Sequence, residues 1–220
     1  MKLAIYDFDG TYIDVQTLPY MFDLWRNKHI NDKVVKKTWR KIIFTMVLHK
    51  LHFFGWNKAK FRSNAMALTA DLFGSIERDK LDNFLEEFYQ ALQPHVSKAM
   101  KKQLLLDKQN GFHTVLLSGN YDIILKPFLK DGFDDVIGTD IETETGLKNS
   151  KEVKIIINQE KQDIIRRHYP EADYTSSKAY ADSGYDLPIF ELVGHPVAVN
   201  PDDELKKIAK DRKYEILETK

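Results

Sequence analysis

The run Leu3–Thr11, LAIYDFDGT, constrains this chain more than any other stretch. Leu3, Ala4, Ile5 and Tyr6 read as a short core strand, and Asp7 and Asp9 close it. Two carboxylates at a strand end concentrate negative charge at one point and repel each other. A hard cation such as Mg²⁺ compensates them well and keeps waters that a phosphate can displace. Gly10 lets the backbone turn sharply and approach a ligand closely. An Asp carboxylate is also one of the few side chains that can accept a phosphoryl group covalently. The competing reading of the same residues is an Asx-rich turn after an edge strand.

Asp7-Phe8-Asp9-Gly10-Thr11 resembles DxDGT, motif I of the haloacid dehalogenase superfamily. The resemblance implies three further pieces in order along the chain, and each has a match. Val115-Leu116-Leu117-Ser118-Gly119-Asn120 reads as a strand ending in Ser, where the Ser118 hydroxyl and the Gly119 N–H can donate to phosphate oxygens. Alone, this segment is equally an ordinary Ser-Gly turn. A lysine near a helix start comes next, and Lys151, Lys154 and Lys161 compete for the part. Lys161 opens a helical pattern and lies 21 residues before the fourth motif, so it is the choice here. Lys151 and Lys154 lie before or within Val153–Ile157, which reads as a strand of a hairpin. The fourth piece, Ala179-Tyr180-Ala181-Asp182-Ser183-Gly184-Tyr185-Asp186, is another apolar strand ending in acid, with a second acid four residues on.

By this resemblance Asp7 is the nucleophile and Asp9 the general acid and base. Ser118, Gly119 and Lys161 bind phosphate. Asp7, Asp9 and Asp182 hold Mg²⁺, and Asp186 is an outer acid that orients the lysine or a metal-bound water. The sequence from Leu187 to Pro201 is similar to the IB subfamily, which includes phosphoserine phosphatases. The implied activity is Mg²⁺-dependent hydrolysis of a small phosphate monoester through an aspartyl-phosphate. A phosphotransferase would share the same nucleophile and metal site, and a phosphate-sensing module is the non-enzymatic alternative. Phosphoserine itself fits less well, because Gln16 stands where such enzymes carry a Glu for the substrate amine, and Tyr185 where they carry Asn. A lipid- or glycerol-type phosphate is a further alternative.

The coarse pattern agrees. Strands at about 2–8, 113–118, 135–139, 178–182 and 196–200 alternate with helical stretches, which predicts an α/β fold with a doubly wound parallel sheet. In such sheets the ligand crevice lies beyond the carboxyl ends of the strands. Asp7, Ser118 and Asp182 each stand at such an end, which groups them independently of any family. Glu142–Gly146 and Val153–Asn158 read as a small hairpin, and Tyr214–Leu217 as a last edge strand.

Residues 15–94 break the alternation and predict an inserted all-helical domain, with 1–14 and 95–220 forming the catalytic core. In the family this is a type 1 cap, which can exclude water and read the leaving group. Leu81, Phe84, Leu85, Phe88, Tyr89 and Leu92 follow helical spacing; Ile42, Ile43, Met46, Val47 and Leu51 do so less cleanly, with Gly55 and Gly74 as helix breaks. From Lys33 to Ala70 there are nine basic residues and no acidic one, although the chain as a whole carries 33 of each sign. Trp39, Phe44, Phe53, Phe54, Trp56 and Phe61 are interleaved. The segment reads as a bundle with a solvated basic face, as an attractor for a polyanionic substrate, or as an element resting on an anionic membrane. His49 and His52 could share a helix face but lack a nearby carboxylate for a metal.

The balanced charge implies no global attraction to nucleic acid. Without cysteine the chain has no disulfide, thiol nucleophile or thiolate metal site. A core strand rather than a signal peptide at the start predicts a cytoplasmic protein. The pattern does not fix an oligomeric state.

Overall fold

The structure, a computed structural model, describes residues 1–28, 32–51, 58–143 and 146–219, with 32, 58 and 59 by backbone alone. In chain order the elements are β1 (Leu3–Tyr6), α1 (Thr17–Asn27), α2 (Asp32–Lys50), α3 (Lys58–Gly74), α4 (Arg78–Leu92), α5 (Lys98–Gln109), β2 (His113–Tyr121), α6 (Asp122–Leu125), β3 (Asp135–Thr139), β4 (Glu142–Thr143), β5 (Gly146–Leu147), α7 (Gln159–His168), β6 (Lys178–Ala181), α8 (Leu187–Phe190), β7 (His195–Val199), α9 (Asp203–Arg212) and β8 (Glu215–Leu217). They fall into two compact units. The first comprises Met1–Gln16, Ala91–Gly138 and Ile156–Lys220; the second comprises Thr17–Gln90 and Thr139–Ile155.

The first unit is a six-stranded parallel sheet in the order β3-β2-β1-β6-β7-β8, flanked by helices. All four residues of β1 are buried, as a central parallel strand covered on both faces requires. The chain builds outward from β1 through β2 and β3, then returns to build the other half from β6. The order therefore reverses between β1 and β6, and their carboxyl ends form the crevice where such sheets take ligands. Tyr6 pairs with Leu116 on one side and Tyr180 on the other. Asp7 and Asp182 thus follow the ends of β1 and β6, and Ser118 stands at nearly the same level within β2. One face of the sheet packs Leu3, Ile5, Val115 and Leu117 against Ile165 of α7 and Leu205 and Ala209 of α9.

The second unit is built of helices and carries the β4–β5 hairpin as well. Trp25 stacks on Phe84 at 4.5 Å and packs against Phe73 at 5.6 Å. The segment 139–155, which the sequence pattern places in the core, groups here instead. Arg78 of α4 pairs with Glu142 at 2.9 Å, and the Ser150 N–H donates to Asp71 of α3 at 2.8 Å. All six apolar residues of the Leu81–Leu92 pattern are buried, and α3 ends at Gly74 as expected. In α2 the weaker pattern is split: Ile42 is buried, whereas Val47 is exposed, as is Leu51 just beyond the helix. His52, Phe53, Phe54, Gly55 and Trp56 lie outside the described residues.

Two strand expectations are corrected. Val153–Ile157 has no strand; the hairpin partner of β4 is β5, and Ile156 is buried in the apolar layer beside the sheet. β2 runs three residues past Ser118, to Tyr121. The last edge strand forms as β8, parallel to β7.

Candidate active site

The backbone after β1 closes on itself at once. The N–H of Gly10 donates to the carbonyl of Ile13 at 2.9 Å, and that of Tyr12 to the carbonyl of Asp7 at 3.2 Å. Gly10 has φ +83°, and a Cβ there would lie 2.1 Å from Asp182 Oδ2. Glycine is required twice over, for the left-handed turn and for the close approach of the Asp182 carboxylate. The Asp7 N–H donates to the carbonyl of Tyr180 at 2.9 Å, and the Asp202 N–H to the carbonyl of Asp182 at 2.9 Å.

Lys161 lies in the first turn of α7, on the face that also buries Ile165, and is 4 % exposed. Its ammonium donates to Asp7 Oδ1 at 2.7 Å and to Asp186 Oδ1. Of the three competing lysines, this one meets the motif I carboxylate; Lys151 and Lys154 belong to the second unit. Ser183 Oγ donates to the other Asp186 oxygen at 3.1 Å, so both oxygens of that acid are engaged.

Asp7, Asp182 and Asp186 each place a carboxylate oxygen within 4.8 Å of the others. One ammonium among three acids leaves charge uncompensated. Burial pushes the Asp7 carboxyl up to about 6; Lys161 opposes this, and Asp186 adds to it. Burial raises the Asp182 carboxyl further, to about 8, with the charges of Asp7 and Asp186 contributing. Asp9 adds a smaller repulsion to both. Burial alone would lower Lys161, but Asp186 and Asp7 outweigh it and raise it above its ordinary value. A cluster of hard oxygens with surplus negative charge, pressed against a glycine, fits a divalent cation such as Mg²⁺. Asp186, tied to Lys161 and Ser183, suits an outer role, whereas Asp7 and Asp182 suit direct ligation.

Ser118 is buried at the neighbouring strand, where its Oγ accepts from the Asn120 N–H at 3.1 Å. The structure thus joins Gly10, Asp7, Asp182, Asp186 and Lys161 by direct geometry. It places Ser118 and Gly119 beside them through the strand register alone.

One group beneath the site escaped the sequence reading. Asp107, in the last turn of α5, is fully buried and accepts from the hydroxyls of Tyr6 at 2.6 Å and Tyr180 at 2.8 Å. It also accepts from Lys178 Nζ at 2.7 Å and Gln103 Nε2 at 3.1 Å. Tyr6 and Tyr180 are register partners with rings stacked at 4.5 Å. They precede Asp7 by one residue and Asp182 by two, so one carboxylate fixes the two strands that present the acids. Burial raises both phenols, with the Asp107 charge adding to it.

A model of haloacid dehalogenase-like hydrolases matches residues 4–191. The chain belongs to the haloacid dehalogenase-like hydrolase family. It is a phosphatase-type hydrolase. A histidinol-phosphatase of Neisseria meningitidis is 32 % identical over 155 residues, covering 65 % of this chain and 68 % of the relative. Among solved structures, a Bordetella pertussis protein of unknown function superposes with TM-score 0.83 at 19 % identity, covering 98 % of this chain and 97 % of that one. A phosphoserine phosphatase with a phospho-aspartyl intermediate analogue gives TM-score 0.63 at 17 % identity, covering 100 % and 93 %. These two likenesses are of fold.

Proposed function

We propose that the protein is a Mg²⁺-dependent phosphatase of small phosphate monoesters that works through an aspartyl-phosphate on Asp7. The observation that carries this reading is the Lys161 ammonium held against Asp7 and beside Asp182 at the switch point of the sheet. The Lys161 ammonium, 2.7 Å from Asp7 Oδ1, favours the ionised carboxylate, the form that can act as a nucleophile. Mg²⁺, held by Asp7, the Asp9 carbonyl and Asp182, would supply positive charge to the phosphate oxygens.

In the first step an Asp7 oxygen forms a bond to phosphorus as the ester P–O bond breaks, and Asp9 gives its proton to the departing alcohol. In the second, Asp9 takes a proton from water, whose oxygen attacks phosphorus; the bond to Asp7 breaks and inorganic phosphate leaves. Ser118, Gly119 and Lys161 hold the phosphate oxygens throughout. Asp186 positions Lys161.

For the substrate we place histidinol phosphate first, with histidinol as the leaving alcohol, on the strength of the Neisseria relative. Phosphoserine stands behind it: both esters carry an amine, so the neutral Gln16 does not separate them, and the order rests on the relative. The test is phosphate release with Mg²⁺ from histidinol phosphate, phosphoserine, sugar phosphates, nucleoside monophosphates and glycerol phosphate. A preference of at least about tenfold for histidinol phosphate is expected, because discrimination by one or two contacts is of that order. Preference for another ester would overturn the substrate assignment, and no release from any ester would overturn the phosphatase reading.

A further inference from the structure

Helix α2 presents to solvent a face made only of cations and apolar side chains. Every exposed residue from 33 to 50 is basic or apolar. Lys33, Lys36, Lys37, Arg40 and Lys41 occupy its first turns. Phe44 follows at 63 % exposed and Val47 at 43 %, and Leu51, just past the helix end, is at 66 %. At 100° per residue, Lys33, Arg40, Phe44, Val47 and Leu51 fall within about 60° of the helix surface, so cations and apolar groups share one stripe. Val35, Thr38, Ile42 and Thr45 form the opposite, buried face. The same five cations and Phe44 line a groove of about 640 Å³ that Asn64 and Leu68 of α3 also border. From Lys33 to Ala70 the sequence has no acid.

We propose that this face docks the protein peripherally on an anionic lipid surface. The inference is independent of the phosphatase reading. Three occupants compete, and the composition separates them. A second copy would bring the same cations against each other, and like charges repel. A soluble polyanion would engage the cations and leave Phe44, Val47 and Leu51 in water. The basic row spans about 12 Å from Lys33 to Lys41, at 1.5 Å per residue, and the exposed apolar residues carry the stripe about 15 Å further to Leu51, beyond the reach of a compact anion held by the cations. An anionic bilayer satisfies both halves of the stripe: headgroups meet the cations, and the apolar end enters the boundary with the acyl chains. No helix among the described residues is long and apolar enough to cross a membrane, so the contact is interfacial.

The experiment is co-sedimentation of the full chain with phosphatidylcholine vesicles, with and without about one-third phosphatidylserine, at about 0.05 M and 0.5 M salt. Partition onto the anionic vesicles is expected to be at least about tenfold stronger and to fall with salt. Combined Lys33→Gln, Lys37→Gln and Lys41→Gln should lower it at least about tenfold. Combined Phe44→Ser and Leu51→Ser should remove the part that survives high salt. Thermal melting followed by circular dichroism checks that each variant folds; should one fail, the wild-type comparison of lipids and salts still decides. Equal partition onto both vesicle types, or binding of soluble polyphosphate with none to either vesicle, would overturn the proposal.

Discussion

The two units handle charge in opposite ways. In the sheet unit, Asp7, Asp182, Asp186 and Lys161 are withdrawn from water and brought to within a few bond lengths of one another. In the helical unit, the cations of α2 are set along an exposed face, with no acid between Lys33 and Lys50. Converging buried charge is costly unless compensated, and what remains uncompensated is available to bind a cation and act on a phosphate. Spread, solvated charge costs little, does no chemistry, and can address only an extended surface. The same difference decides how each region should respond to substitution.

Asp7→Asn should produce the largest effect, a loss of turnover of about 10⁴-fold or more, because it removes the attacking oxygen. Asp9→Asn should cost about 10²- to 10³-fold, the scale of a lost general acid and base. Steady-state phosphate release measures both. Mild and equal effects would reduce the crevice to a structural ion cluster and erase the contrast.

Lys161→Met should destabilise the metal-free protein by about 3 kcal/mol, since it leaves buried carboxylates facing one another without their cation. Urea unfolding at pH 8 with a chelator measures it. A change below about 0.5 kcal/mol, typical of a surface site, would place Lys161 in the other class.

The pH dependence sharpens the point. Asp7 and Asp182 have folded-state values of about 6 and about 8, above the ordinary 3.8 of an unfolded Asp. Between those limits the folded state holds more protons than the unfolded one, so stability falls as pH rises. The metal-free protein should therefore lose melting temperature from about pH 4 to about pH 8 and then level off. Mg²⁺ should restore more of it at pH 8 than at pH 5, by neutralising charges that exist only at the higher pH. Asp182→Asn should flatten the slope, and an unchanged slope in that variant would contradict the assignment. The smallest effect belongs to the spread charges: the triple Lys→Gln change on α2 should alter unfolding free energy by less than about 0.5 kcal/mol per site.

Much of the sheet unit could be read from the chain. Apolar runs that end in Asp or Ser mark both the strands and the crevice, and the family resemblance, through a 21-residue separation from Asp182, points to Lys161. Asp107 could not be read this way. It follows three leucines in the last turn of α5, 101 residues from Tyr6, and only the fold shows what it holds. The Tyr at 6 and at 180, each just before a motif acid, was the available signal. Val153–Ile157 misleads because β-branched residues favour strands; burial of Ile156 in the apolar layer decides otherwise. In α2 the periodicity is ambiguous because exposed and buried faces both carry apolar residues, so spacing cannot tell Ile42 from Val47.

The most direct test of the central claim is chemical. Wild-type protein turning over histidinol phosphate with Mg²⁺ is quenched with borohydride, which reduces an aspartyl-phosphate to homoserine, and the peptides are read by mass spectrometry. Reduction is expected at Asp7, dependent on both substrate and Mg²⁺, and absent from Asp7→Asn. Active protein with reduction at another residue, or with none under conditions of turnover, would contradict the claim.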